Sequence, residues 1–301
     1  MTVTVTGVSK TFGGVTAVDN VTFTLHENRV YGLLGRNGAG KTTLMQLLTG
    51  QQFRTAGEIS VFGADPVENE AVLSRMCFIK ESQRYPDQFQ VRHVLASAAM
   101  LYPNWDADFA AALLADFALP TNRRVKKLSR GMLSALGVIV GLAARAPVTL
   151  FDEPYLGLDA VARQLFYDRL LADVAEHPRT VVLSTHLIDE VADLLEHVIV
   201  MDHGRVVLDR DAEALRGEAA LLTGPSDAVD ELTDGLDVLH AERLGNVARV
   251  TVRGGLDRDT REDAAARGVT VEPATLQQLV VRLTTQSAAG PQRATPKEVT
   301  R

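Results

Sequence analysis

A glycine-rich segment near the amino terminus has the composition of a phosphate-binding loop. It fits the pattern G-x-x-x-x-G-K-[ST], and the candidate nucleotide-binding residues run without a gap: Gly35, Arg36, Asn37, Gly38, Ala39, Gly40, Lys41, Thr42 and Thr43. Glycines let backbone N–H groups turn towards phosphate oxygens, and the Lys41 ammonium brings a positive charge to the β- and γ-phosphates. The Thr42 hydroxyl is a hard oxygen ligand that suits Mg²⁺. The pattern therefore predicts a nucleotide site that also holds magnesium.

Two acidic residues follow a short apolar run in the middle of the chain. The run is Val148–Phe151, and Asp152 and Glu153 come directly after it. Open α/β sheets bind ligands beyond the carboxyl ends of their parallel strands, so both carboxylates are expected at a ligand site. We expect Asp152 to hold Mg²⁺, through water, and Glu153 to orient or deprotonate an attacking water as general base. The alternative is that both acids only solvate a loop, and the phosphate loop upstream favours catalysis.

Strands and helices alternate in the segments that must position these residues. The predicted strands are residues 2–6, 21–25, 29–34, 58–62, 148–151, 180–184 and 197–201. The predicted helices are residues 41–49, 160–176 and 187–195. Residues 88–145, rich in Ala and Leu, are predicted to be mostly helical. This alternation predicts an α/β fold with a parallel sheet, in which a strand precedes the phosphate loop and a helix follows it.

The pattern changes from Gly217 onwards. The order of predicted elements becomes β-α-β-β-α-β, which suggests a small ferredoxin-like α+β unit. A predicted helix at Thr275–Leu283 follows, and the last residues are polar and typical of a disordered tail. The predicted domains are therefore residues 1–216, an accessory domain at 217–284 and a tail at 285–301.

Composition limits the classes of protein that remain. The 301 residues are 46% hydrophobic, carry a net charge of −7 and include one cysteine. One cysteine excludes a disulfide framework and a cysteine-based zinc site, and the negative charge disfavours a grip on nucleic acid. The most apolar segment, Leu136–Ala144, is much shorter than the about 18 residues that a membrane span needs, so a buried helix is the better interpretation. The first residues have no apolar core of signal-peptide length, so we expect a soluble, cytosolic protein.

A third motif, Leu128–Met132, lies shortly before the apolar run and resembles the LSGGQ signature of ABC-type ATPases. Downstream, Asp159 in the sequence G-L-D resembles the D-loop of that family. The resemblance implies that the signature contacts ATP held by another subunit, through Ser129, Arg130 and Gly131. A serine before an apolar helix is also a typical N-cap, and both roles can hold together. The signature departs from the family at Arg130, where a second glycine is usual, and at Met132, where glutamine is usual.

Other residues extend the resemblance over about residues 2–216. Phe12 is similar to the aromatic residue on which adenine stacks, and its alternative is a core residue. His186 is similar to the switch histidine that contacts the γ-phosphate, and its alternative is a structural role at a strand end. At the position where the family offers a glutamine this sequence has Glu81, with Gln83 two residues further on. Either side chain could reach Mg²⁺ or the attacking water, and Glu81 is the preferred candidate.

The resemblance implies a P-loop NTPase fold with a helical subdomain at about residues 84–145. It also implies a head-to-tail dimer, a homodimer or a heterodimer with a second ABC ATPase, that closes around two ATP molecules. The dimer is expected to drive a membrane permease on a separate chain, which would place this chain on the inner face of the cell membrane. The expected coupling contact lies at residues 84–110, which contain an aromatic group: Tyr85, Phe89, Tyr102 and Trp105.

The end of the second domain bears on the direction of transport. The segment Pro273–Thr284 resembles the ending of ATPases that are paired with ABC-2-type export permeases, with Leu276, Leu283 and Thr284 matching. One alternative is a soluble ABC-type ATPase that acts on ribosomes or DNA. That class typically carries two cassettes or a long coiled coil, and this sequence has one phosphate loop and no heptad run. A further alternative is a regulatory module in which ATP binding alone matters.

Overall fold

A mainly parallel sheet forms the centre of the first of two units into which the chain divides. The computed structural model describes residues 1–81, 83–216, 218–254 and 256–280. The first unit comprises residues 1–212, and the second begins at Glu213. In chain order, the strands of the first unit are β1 (Val3–Phe12), β2 (Val15–Leu25), β3 (Val30–Leu34), β4 (Ala56–Val61), β5 (Met76–Ile79), β6 (Val148–Asp152), β7 (Thr180–Thr185), β8 (His197–Asp202) and β9 (Arg205–Asp211).

Helices connect most of these strands. They are α1 (Lys41–Leu48), α2 (Glu70–Leu73), α3 (Val91–Leu101), α4 (Ala107–Asp116), α5 (Arg130–Ala143), α6 (Ala160–Glu176) and α7 (Ile188–Val191), and α8 (Ala212–Arg216) follows β9. Short 3-10 turns lie at Val125–Lys127 and Ala192–Leu194. The helix predicted at residues 187–195 is therefore wrong in extent, because α7 ends at Val191. The last turn of α7 contains no basic residue to favour its carboxyl end.

Within the described residues, the central sheet has six strands in the order β5-β6-β7-β3-β8-β9. Neighbouring strands from β5 to β8 pair in parallel, which confirms the predicted parallel sheet. All residues of β3 and β6 are buried, as expected for strands that are covered on both faces. The edge strand β9, which pairs antiparallel to β8, was not predicted.

A separate antiparallel sheet, ordered β2-β1-β4, lies at the amino-terminal side of the chain. Its apolar positions alternate with threonine, and Val3, Val5 and Val8 are buried. One hydrophobic core joins these side chains to Leu44 and Met45 of α1 and to residues of β3 and β6. The helix that follows the phosphate loop is therefore fixed by both sheets.

The segment around residues 88–145 is helical, as predicted, and contains α3, α4 and α5. Every residue from Leu136 to Ala144 is buried, so the most apolar stretch of the chain is a core helix. Gly141 is needed there, because a Cβ atom would lie 2.7 Å from the Phe151 ring. Within the residues that the structure describes, no helix is both long enough and apolar enough to span a membrane.

The second unit confirms the predicted β-α-β-β-α-β order. Its elements are β10 (Ala219–Pro225), α9 (Ser226–Thr233), β11 (Val238–Leu244), β12 (Val247–Arg253), α10 (Arg258–Ala266) and β13 (Thr270–Pro273). The strands pair antiparallel in the order β11-β12-β10-β13, which is the ferredoxin-like arrangement. Residues 276–280 are helical, in agreement with the start of the predicted last helix. Leu283, Thr284 and the predicted tail lie outside the described residues.

Candidate active site

The phosphate loop connects the buried strand β3 to the first residue of α1. Gly35, Gly38 and Gly40 all have positive φ angles, of 148°, 82° and 101°, which non-glycine residues rarely adopt. A Cβ atom at Gly40 would also overlap the carbonyl of Ala17. The segment therefore forms a tight loop whose backbone amides precede a helix amino terminus, which is the arrangement that binds phosphate.

Lys41 is buried at the base of this loop. Its ammonium donates to the carbonyl oxygens of Gly35 at 2.7 Å and Arg36 at 3.3 Å, and its Nζ lies 3.7 Å from Oε1 of Glu153. Burial lowers the pKa of Lys41, while the carboxylates of Glu153 and Asp152 oppose that shift. The structure thus brings the predicted phosphate-binding cation and the predicted base into one group.

Asp152 and Thr42 are also in contact, although 110 positions separate them in the chain. The Thr42 hydroxyl donates to Oδ2 of Asp152 at 2.6 Å. The other carboxylate oxygen, Oδ1, is buried and has no hydrogen-bond partner in the part of the chain that the structure describes. A buried carboxylate oxygen without a partner, beside a hydroxyl, fits a hard cation such as Mg²⁺, which commonly takes only one or two protein ligands beside phosphate and water.

Glu153 occupies a strained backbone position directly after β6. Its φ angle is 49°, in the left-handed region, and such outliers in a non-glycine residue are typical of functional sites. Its side chain is buried, and Oε2 lies 2.9 Å from Nδ1 of His186. Oε1 has no hydrogen-bond partner among the described residues and faces Lys41. The predicted base and the predicted switch histidine therefore touch each other.

The sequence interpretation missed Tyr155, which lies between these two residues. Its hydroxyl donates to Oε2 of Glu153 and lies 3.1 Å from Nδ1 of His186. Burial is the main cause that raises the pKa of Tyr155, and the hydrogen bond to Glu153 adds to it, so the phenol is protonated at neutral pH. Its position two residues after Glu153, at the carboxyl end of β6, is a signal that could have identified it.

The signature residues form a second group with the predicted D-loop. Ser129 is the N-cap of α5, because its Oγ accepts from the amide of Met132 at 3.2 Å. Gly131 lies against the backbone of Gly157, where a Cβ atom would come within 2.5 Å of the carbonyl oxygen. Asp159 is the N-cap of α6 and accepts from the amide of Ala162 at 2.8 Å. Across the described ranges, no hydrogen bond or ion pair joins Ser129–Gly131 or Asp159 to the phosphate loop, Asp152 or Glu153.

Arg130 and Glu81, which both depart from the family pattern, contact each other. Nη2 of Arg130 lies 3.4 Å from Oε1 of Glu81, and both side chains are largely exposed. The side chain of Gln83 makes a long contact, in which its Oε1 accepts from the amide of Lys80 at 3.5 Å. Glu81, Gln83 and Arg130 line one cavity of about 320 Å³ that also reaches Pro154. Contact of Glu81 or Gln83 with a metal or with water stays a prediction.

Phe12 lies on the surface at the end of β1. Its side chain is 43% exposed, and the ammonium of Lys10 lies 4.6 Å from the centre of its ring. The alternative that Phe12 is a core residue is therefore wrong. Its role as a platform for adenine stays a prediction.

Sequence comparison places these residues among known proteins. Residues 18–156 match the protein family described as ABC transporter. Nod factor export ATP-binding protein I of Burkholderia lata is 34% identical over 216 residues, which cover 69% of this chain and 70% of the relative. Doxorubicin resistance ATP-binding protein DrrA of Mycobacterium tuberculosis is 32% identical over 227 residues, which cover 73% of this chain and 68% of the relative. Aliphatic sulfonates import ATP-binding protein SsuB 1 of Nocardia farcinica is 32% identical over 214 residues, which cover 71% of this chain and 83% of the relative.

Solved structures share the fold. An ATP-binding subunit of an ABC transporter aligns with a TM-score of 0.66 at 24% identity, over 72% of this chain and 92% of that chain. A dimeric ATP-binding cassette in a post-hydrolysis state, bound to ADP and Pi, aligns with a TM-score of 0.62 at 20% identity, over 70% and 98%. The architecture of the first unit is therefore that of an ATP-binding cassette.

Proposed function

The chain belongs to the ATP-binding proteins of ABC transporters, and from that premise we propose that it hydrolyses ATP to drive a separate membrane permease in the direction of export. One observation carries the proposal. Lys41 and Glu153 approach each other at the carboxyl edge of the central sheet, and Thr42 contacts Asp152 there. Phosphate binding, metal binding and a base are the three parts that ATP hydrolysis needs.

Each of these side chains has a distinct task in this proposal. The phosphate loop and Lys41 bind the β- and γ-phosphates. Thr42 and Asp152 hold Mg²⁺, which when bound neutralises charge on the phosphates. Glu153 directs Oε1 towards the phosphate loop, where it orients the attacking water and takes its proton. His186 contacts the γ-phosphate, and Glu81 or Gln83 completes the polar contacts beside it.

The signature residues would act on the nucleotide of a second subunit. Within the described part of the chain, no hydrogen bond or ion pair joins Ser129, Arg130 or Gly131 to the phosphate loop, and Ser129 and Arg130 are exposed. A head-to-tail dimer would place them on the nucleotide of the partner and, by its two-fold symmetry, form two identical sites. The dimeric cassette with the same fold supports this arrangement. The proposed cassette covers residues 1–216, and the accessory domain at 217–284 serves regulation, dimerisation or permease contact.

The helical part of the first unit offers a surface for the permease. A cavity of about 250 Å³ lies there and is lined by Tyr85, Phe89, Leu101 and Tyr102. Leu101 and the neighbouring Met100 are exposed. Aromatic side chains are common anchors at protein interfaces. Binding at this surface would hold the chain on the inner face of the membrane.

The relatives support export as the direction of transport. Two of the three relatives named above are described by export or drug resistance, whereas the sulfonate protein is described by import. The ending of the second domain, which resembles that of exporter ATPases, adds to the case for export. The alternative, an ATPase that acts on ribosomes or DNA, is disfavoured by the net charge of −7.

Membrane fractionation tests the proposal. The full chain is expressed with and without a candidate ABC permease, and the membrane-bound share is measured. We expect membrane association only with the permease, and a large loss of it in Leu101→Asp. The matched control is Leu171→Asp, because Leu171 is also exposed but lies on α6, outside the cavity. A chain that stays in the supernatant beside its permease, or ATPase activity stimulated by nucleic acid, would count against the proposal.

A further inference from the structure

Tyr155 connects the loops that follow two neighbouring strands of the central sheet. It lies after β6, in the same loop as Glu153, and its hydroxyl reaches the end of β7. There Oγ1 of Thr185 lies 2.9 Å away, and the backbone amide of His186 lies 3.3 Å away. The ring is buried and only 3% exposed. One phenol therefore contacts both the predicted base and the turn that carries the predicted switch histidine.

The direction of the phenol proton follows from the donors and acceptors around it. A phenol has one hydrogen to donate and two lone pairs that accept. The amide of His186 can only donate, so it takes one lone pair. An ionised carboxylate can only accept, so the phenol hydrogen points to Oε2 of Glu153. The Thr185 hydroxyl then donates to the second lone pair, while its own oxygen accepts from the amide of Leu187 at 2.9 Å.

This hydrogen-bond set has a direct effect on the orientation of Glu153. Oε2 is taken by Tyr155 and by Nδ1 of His186, so it is not available to water. Oε1 is left without a hydrogen bond in the described part of the chain, on the side of Lys41. The carboxylate cannot rotate without breaking the contact to the phenol. Oε1 is thereby held as the oxygen that faces the phosphate loop.

A second buried tyrosine shows that burial alone does not require such contacts. Tyr167 on α6 is 4% exposed, a value similar to that of Tyr155. Its ring packs against the ring of Phe166 at 5.2 Å between centroids. Its hydroxyl has no hydrogen-bond partner among the residues described. The hydroxyl of Tyr167 is thus unused at similar burial, whereas every hydrogen-bonding capacity of Tyr155 is used.

We propose that Tyr155 is a positioning residue for ATP hydrolysis, which fixes the Glu153 carboxylate with Oε1 towards the nucleotide and ties His186 to the same carboxylate. The phenol touches neither nucleotide nor attacking water and acts through Glu153. The inference therefore rests on the proposed role of Glu153 as the base. It assigns a function to a residue outside every motif that the sequence pattern identified.

Steady-state ATP hydrolysis by the full chain tests this inference, together with titration of a fluorescent ATP analogue. Tyr155→Phe removes only the hydroxyl oxygen. We expect kcat to fall about 10- to 100-fold, as for a misplaced catalytic group, while the dissociation constant of the analogue changes less than about twofold. Tyr167→Phe is the matched control and should retain kcat within about twofold. A purely structural role predicts instead that both variants lower the melting temperature while kcat of the folded protein is unchanged, which would overturn the inference.

A second pair of variants keeps the test decisive if Tyr155→Phe does not fold. Thr185→Val removes the hydroxyl that holds the phenol in place, whereas Thr185→Ser keeps it. We expect Thr185→Val to lose kcat several-fold more than Thr185→Ser, again at similar affinity for the analogue. Equal rates in this pair would contradict the inference.

Glu153→Gln in the same assay separates the inference from the proposed function. If Glu153→Gln retains the parental rate, Glu153 is not the base, and the mechanism in the proposed function fails together with this inference. If Glu153→Gln abolishes turnover and Tyr155→Phe retains the parental rate, the role of Glu153 stands and only the assignment of Tyr155 fails.

Discussion

Buried charged side chains lie at both ends of the strands β6 and β7, and the two ends differ in how closely these charges are paired. At the amino-terminal end, Asp173 is 4% exposed and is neutralised by two arginines. Nη2 of Arg145 lies 2.9 Å from its Oδ1, and Nη2 of Arg179 lies 2.6 Å from its Oδ2. At the carboxyl end, Asp152 has no ion pair among the described residues, and the ammonium of Lys41 lies as far as 3.7 Å from Oε1 of Glu153.

This difference separates structural charges from functional ones. Burial is the same at both ends, so burial alone does not mark a site. A buried carboxylate with two arginines within 2.9 Å is neutralised by the protein itself, and these ion pairs stabilise the fold. A charge that keeps free acceptor capacity costs stability and persists where a ligand completes it. The predictions below test that distinction.

The largest effect on stability is expected at the amino-terminal end of the sheet. Asp173→Asn removes the charge that pairs with the buried Arg179 and the partly buried Arg145, and breaking a buried pair in this way costs about 3–5 kcal/mol. Urea unfolding should show that loss in the free energy of unfolding. Asp168→Asn, at an exposed position on the same helix, should change it by less than about 0.5 kcal/mol. Equal values for the two variants would remove the structural half of the comparison.

The next effect is expected in nucleotide binding at the carboxyl end. Lys41→Ala removes the buried ammonium that is proposed to bind the phosphates of ATP and that lies 3.7 Å from Glu153. A charge-assisted hydrogen bond contributes about 1.5–3 kcal/mol, so affinity for ATP should fall about 10- to 100-fold. Titration with a fluorescent ATP analogue measures this, and the exposed Lys126→Ala serves as control. Unchanged affinity in Lys41→Ala would contradict the assignment of the phosphate loop.

Replacement of aspartate by asparagine, which is expected to destabilise the protein at position 173, should have little effect on stability at Asp152. Asp152→Asn keeps the acceptor for the Thr42 hydroxyl and removes a charge that the protein leaves half unpaired. We expect the free energy of unfolding to stay within about 1 kcal/mol of the parent. The increase of ATP affinity that Mg²⁺ produces over EDTA should be lost in this variant. A loss of stability as large as that of Asp173→Asn would show that the two ends do not differ.

The smallest effect is expected at the pair between Arg130 and Glu81. Both side chains are largely exposed, and exposed ion pairs contribute about 0–1 kcal/mol. Arg130→Ala should therefore leave the unfolding midpoint almost unchanged and affect only the rate of hydrolysis at dimer-forming concentrations. A rate that falls equally at concentrations where the chain is monomeric would argue against a role in a partner subunit.

The sequence predicted those parts of the fold that local patterns encode. Continuous apolar runs identified β3, β6 and β7, and the glycines and Lys41 identified the loop between β3 and α1. The strand β9 was missed because Arg205–Asp211 mixes apolar and charged residues, and only pairing with β8 makes it a strand. The ferredoxin-like order was predictable because its short apolar strand segments and its polar, alanine-containing helical segments follow one another clearly in the sequence.

The site was predictable as separate motifs, and their contacts were not. No local pattern indicates that Thr42 touches Asp152 or that Arg130 touches Glu81, because these contacts join residues 110 and 49 positions apart. Tyr155 was missed because it belongs to none of the motifs, although its position two residues after Glu153 is a signal in the sequence. The contacts arise when parallel strands bring their carboxyl ends to one edge of the sheet.

Hydrolysis of ATP by Glu153→Gln tests the central claim most directly. We expect the variant to bind ATP with nearly parental affinity and to hydrolyse it at least about 100-fold more slowly in a single turnover. The variant should therefore accumulate as an ATP-bound dimer, which light scattering measures. Glu176→Gln, at an exposed position, should hydrolyse ATP at the parental rate. A single-turnover rate for Glu153→Gln within about twofold of the parent would contradict the account.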